Sequence, residues 1–89
     1  MKLKVEKFSL SNGKSVPNQF IITTGNGRMF QSYNSNIAFI PNDGRQIILG
    51  GDWNYSATTS KYRNQFLGES TKETQAKLKS GEYILDEDL

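Results

Sequence analysis

The stretch Phe20-Ile21-Ile22-Thr23-Thr24-Gly25-Asn26-Gly27-Arg28-Met29-Phe30 decides the fold. β-Branched and aromatic residues flank a Gly-Asn-Gly turn that tolerates positive φ, the signature of two antiparallel strands joined by a tight turn. Two further signals bracket it, Ser11-Asn12-Gly13-Lys14 before and Pro41-Asn42-Asp43-Gly44 after. With a bulge or tight corner at Asn34-Ser35, they divide the first half into strands at about 2–10, 18–24, 28–33, 36–41 and 45–49. Pro17 should keep the segment before the second strand out of regular pairing, because it has no amide proton to give.

In the first strand Leu3 and Val5, with Phe8 and Leu10 further on, alternate with Lys2, Lys4 and Glu6, the pattern of an edge strand with one wet face. Phe20-Ile21-Ile22, Ile37-Ala38-Phe39-Ile40 and Ile47-Ile48-Leu49 are apolar at successive positions, so both faces of the sheet need cover.

After Gly50-Gly51 the spacing becomes helical. Thr59, Tyr62 and Phe66 share a face, Ser56, Thr58 or Thr59 can cap the start, and Gly68 can end a helix over 58–67. Ser70-Thr71-Lys72-Glu73 has the form of a capping box, and with Gly81 it predicts a second helix over 71–80. Tyr83-Ile84-Leu85 is apolar enough to dock. The expected fold is α+β, an antiparallel β-meander of about five strands followed by two short C-terminal helices. It forms a single domain over 1–85 with an acidic tail, 86–89, that frays. Two short helices cover one side of a sheet well, so a partner or a second copy is expected on the other, with a homodimer the preferred form.

The 89 residues suffice for one core. The absence of cysteine and histidine excludes disulfides, thiolate metal sites and the usual zinc ligand sets, and no metal or cofactor is expected. No apolar run approaches the roughly 20 residues of a membrane span, and the alternating start is unlike a signal peptide. Asn54-Tyr55-Ser56 matches a glycosylation sequon, a chance match without an export signal. The hydroxyls lack a histidine base, Ser60 and Lys61 diverge on a helix, and Gly50-Gly51 lacks the Lys-Ser or Lys-Thr of a phosphate loop. No catalytic residue is assigned, and the chain is expected not to be an enzyme.

Charge is uneven. Residues 1–81 hold all 11 Lys and Arg against five of the nine acids, a body of +6, while Glu82, Asp86, Glu87 and Asp88 give the end −4. A basic body favours an anionic partner, and the acidic end can compete for the same surface; the plainer reading is a solvated exterior.

The densest functional candidate is Trp53-Asn54-Tyr55-Ser56-Ala57-Thr58-Thr59-Ser60-Lys61-Tyr62-Arg63. A helix start presents free amide N–H groups and a positive dipole end, so Thr58, Thr59, Lys61 and Arg63 there would suit a phosphate or carboxylate. Against this stands ordinary capping, with Trp53 and Tyr55 filling the core. A second reading stacks nucleic-acid bases on Phe30, Tyr33 and Phe39, with Arg28, Arg45 and the N-terminal lysines along the backbone path; both phenylalanines also have core spacing.

From Phe30 onward, Ser32-Tyr33-Asn34-Ser35-Asn36-Ile37-Ala38-Phe39-Ile40, Trp53 to Tyr62, Phe66-Leu67 and Lys72-Glu73 resemble a family of small proteins of unknown function carried by bacteriophages and mobile elements. The resemblance covers about two-thirds of the chain and brings no catalytic residues. It implies a phage-type accessory protein, non-enzymatic, acting in the cytoplasm of a bacterial host. Such a protein would occupy a surface on a host protein or protein complex, for instance a defence nuclease or transcription component. Nucleic-acid binding and a virion-assembly role are the alternatives.

Overall fold

A computed structural model describes residues 3–9 and 13–89. The chain forms β1 (Lys4–Ser9), β2 (Ser15–Thr24), β3 (Gly27–Ser32), β4 (Ser35–Pro41), β5 (Ile48–Leu49), α1 (Ala57–Leu67), α2 (Thr71–Ser80) and β6 (Ile84–Leu85). All six strands join one sheet in sequence order. The architecture is therefore the α+β meander and helix pair that the turn signals predict, with one strand added. The expected Ser11-Asn12 turn and Leu10 lie outside the described residues.

The added strand explains where the helices sit. β1 to β5 pair antiparallel, whereas β6 runs parallel to β5. A parallel neighbour needs a crossover of about a dozen residues or more, and α1 and α2 supply it. Ile84 N–H donates to the Ile47 carbonyl at 3.0 Å and Asp86 N–H to that of Leu49 at 2.8 Å. Both helices belong to this one connection and cover one face of the sheet.

Two bounds differ from expectation for local reasons. β2 starts at Ser15 and contains Pro17, but its ladder skips from the Lys7–Phe20 pair to the Ser9–Ser15 pair, with Asn18 at φ 63° in between. The irregular pairing that Pro17 dictates is absorbed inside the strand. The fifth strand shrinks from 45–49 to Ile48–Leu49 because Asp43 Oδ1 accepts the Arg45 amide at 3.1 Å, a local bond that competes with sheet pairing.

Cross-strand partners share a face. Ile21, Phe30, Ala38 and Leu49 pair in succession on the helix side, and Phe30, Ala38 and Leu49 are completely buried there. Phe30 meets Phe8 and Phe66 with ring centroids 5.7 Å apart, and Phe8 meets Tyr62 at 5.4 Å. Each such pair adds about 0.5–1.5 kcal/mol beyond its buried area. The adjacent row, Val5, Ile22, Met29, Phe39, Ile48 and Ile84, takes one apolar residue from every strand and faces away from the helices. Its ends are open, Val5 at 57% and Ile84 at 43% exposure.

The last four residues lie against the body of the domain. Leu89 N–H donates to the Asp86 carbonyl at 3.1 Å, and the Leu89 carbonyl accepts from Asn36 Nδ2 at 3.4 Å. None of the described helices is long and apolar enough to cross a membrane.

Candidate functional site

A cleft of about 450 Å³ opens where the β3–β4 turn meets the loop leading into α1. Its floor is Ile37, placed by a break in register: Phe30 pairs with Ala38 but Gln31 with Asn36, so Ile37 is the extra residue of a bulge. One wall is the turn Tyr33-Asn34, the other Asp52 and Tyr55. Side-chain hydrogen bonds lock the walls together. Ser32 Oγ and Thr59 Oγ1 lie 2.9 Å apart in a buried contact, and Ser35 Oγ donates to Asp52 Oδ2 at 2.7 Å. Ser56 caps α1 by accepting the Thr59 amide at 3.1 Å.

The loop turns tightly because Gly50 follows β5 directly. Its N–H donates to the Ile37 carbonyl at 2.9 Å, and a Cβ there would sit 2.1 Å from the Asn36 carbonyl oxygen. Tyr33 holds φ 54°, a left-handed conformation that costs a residue with a Cβ on the order of 1 kcal/mol. Its amide donates to the Asn18 carbonyl at 2.7 Å and its carbonyl accepts from Gln31 Nε2 at 2.8 Å. The turn thereby holds the Tyr33 ring at the cleft, 53% exposed.

Of the nine residues singled out in the sequence, the cleft unites Tyr33, Tyr55 and Thr59. Tyr55, expected in the core, is 79% exposed at the rim, whereas Trp53 does pack against the core. Thr58 is exposed on the first turn of α1, and Lys61 lies over the Tyr62 ring at 5.3 Å. Arg28 covers Phe66 at 5.5 Å, and Arg45 pairs with Asp43 at 2.7 Å, holding that carboxyl below its usual value. Phe30, a conceivable base platform, is sealed in the core.

Arg63 requires the largest correction. Expected at an anion site, it is completely buried. Its guanidinium stacks 5.0 Å from the Trp53 ring centre and donates to the Trp53 carbonyl, to Asn64 Oδ1 at 2.9 Å and to Thr71 Oγ1 at 2.7 Å. Desolvation lowers its pKa, opposed by the charge of Glu69. It pins the pre-α1 loop to both helices. A second polar cluster closes α2 onto β6: Glu69 accepts from Lys77 at 2.8 Å, from Tyr83 at 2.6 Å and from Thr74. Burial alone would raise the Glu69 pKa, but these donors hold it below its ordinary value. Burial and the bond to Glu69 push the Tyr83 phenol up to about 12.

The cleft's charge comes from a residue that stood alone in the sequence. Asp52 borders both the cleft and an adjoining hollow of about 200 Å³ that Glu87 and Leu89 help to form. It reaches Ser35 across 17 positions of sequence, a separation at which no periodicity or motif operates.

The chain belongs to a family of unknown function, DUF8033, which matches residues 3–83. No curated protein and no solved structure matches it.

Proposed function

We propose that this is a non-enzymatic binding protein that seats the uncovered face of its sheet on a protein partner. The observation that carries this reading is the six-residue apolar row, one side chain per strand, on the face away from the helices. Five interstrand steps of about 4.8 Å make that row roughly 24 Å long. At one end a groove of about 370 Å³ lies among Phe39, Pro41, Ile48 and Ile84, with Arg45 and Gln46 at its edge. Such a surface suits a partner that inserts apolar side chains along the strands. The resemblance to phage and mobile-element proteins makes a host protein or protein complex in the bacterial cytoplasm the expected partner. The nucleic-acid reading is weaker, since Phe30 and Arg63 are both sealed inside.

The test combines light scattering with cross-linking in the native cells. On this reading the isolated chain is a monomer, in place of the homodimer preferred from the sequence alone. One partner should cross-link stoichiometrically, be lost with Met29→Lys, and be kept with Tyr55→Ala. A stable dimer broken by Met29→Lys would assign the face to a second copy instead, and a complex indifferent to Met29→Lys would remove the face from the interaction.

A further inference from the structure

We infer that the cleft between the β3–β4 turn and the pre-α1 loop binds an organic cation, an alkylammonium or guanidinium group held between Tyr33 and Tyr55 against Asp52. This inference is independent of the sheet-face reading, because none of the residues forming the cleft belongs to the apolar row.

Three features converge. The volume of about 450 Å³ falls in the range of small-molecule sites, and Ile37 gives it an apolar floor. Two tyrosines border it with their rings largely in solvent, 53% and 79% exposed, in a small domain that otherwise draws its aromatics inward. Aromatic faces attract cations, and a quaternary ammonium offers methyl groups to an apolar floor as well. The third feature is the sign of the charge. Asp52 is the only ionisable side chain with a full charge among the residues forming the cleft, and Glu87 stands in the adjoining hollow. Lys61 and Arg63, the cations expected here from the sequence, are both engaged elsewhere, over Tyr62 and under Trp53.

The opposing effect is the start of α1, whose dipole end amounts to about half a positive charge. Ser56 already occupies the Thr59 amide there. A full carboxylate charge at Asp52, with Glu87 behind it, outweighs the dipole, so the net field favours a cation. An anion would face Asp52 without a basic side chain to offset it.

The experiment is amide NMR of the full chain titrated with choline and, separately, with its uncharged carbon isostere dimethylbutanol. Choline is expected to shift the signals of Asn34, Asp52 and Tyr55 with millimolar affinity, and the isostere to bind several-fold more weakly. Tyr55→Ala should weaken choline by about two- to fivefold, and Asp52→Asn by about fivefold. Both variants should keep the wild-type melting temperature, since Tyr55 is exposed and asparagine can still accept from Ser35. Parallel titrations with trimethyl-lysine amide and arginine amide distinguish a free cation from a protein side chain as the source. Equal binding of the isostere, shifts of the same signals by acetate, or no response to any cation would overturn the inference.

Discussion

Replacing Arg63 with methionine separates two physical pictures of this residue. If it were a solvated cation at a helix start, its loss would change stability by no more than about 0.5 kcal/mol. In the structure its removal strands the part-buried Trp53 carbonyl, an acceptor worth up to about 1–3 kcal/mol when left unpaired. It also removes the stacking on Trp53, worth about 1–2 kcal/mol when desolvated. Asn64 and Thr71 can still bond each other at 3.3 Å, so their loss is small. Relief of the unpartnered Arg63 Nε and of the buried charge offsets part of the total. The expected net loss is about 2–4 kcal/mol, against a total stability of about 4–13 kcal/mol for 89 residues. At about 4–8 °C per kcal/mol, calorimetry should register a fall of roughly 8–32 °C, and urea unfolding the same loss as a free energy. Arg63→Lys should recover only a minor part, because an ammonium cannot span the separate acceptors. Lys61→Ala should be nearly neutral. A loss under about 1 kcal/mol for Arg63→Met would refute the pin and return Arg63 to the surface.

Gly50→Ala should disturb the cleft and the fold together, since its Cβ would lie 2.1 Å from the Asn36 carbonyl oxygen; a wild-type melting temperature would contradict the close approach. Gln19 is fully buried with neither side-chain polar atom bonded among the described residues, so the nearly isosteric Gln19→Met should stabilise the protein by about 1–3 kcal/mol in urea unfolding, and a loss would show that the amide is satisfied in solution. Tyr83 holds its proton more tightly folded than unfolded. Its contribution should therefore be complete below pH 10 and fall away as pH rises toward about 12. Tyr83→Phe should flatten that decline, and identical pH profiles for the two proteins would count against the Glu69 bond.

The hairpins, the helix pair and the sealed core of Phe8, Phe30 and Tyr62 follow from signals a few residues long. Turn dipeptides, capping residues and apolar spacing act within one or two turns of chain, so Ser70-Thr71-Lys72-Glu73 could be read directly as a capping box. The same local rules left the candidate site half legible. They drew attention to Tyr33, Tyr55 and Thr59 because aromatics and hydroxyls cluster there, but they assigned the charge to Lys61 and Arg63 rather than Asp52.

What the sequence by itself determined is the set of elements other than β6 and their apolar faces. Only the tertiary structure decided which face stays bare, where Arg63 points, and that Asp52 and Tyr33 border one cleft. The parallel pairing of β6 with β5 routes both helices to one side, and Ile84 and Leu85 alone give no sign of it. The register of Ile37 and the Ser35–Asp52 bond are likewise contacts between distant segments. Their energy is recovered only once the whole sheet has closed, so no neighbouring residues record it.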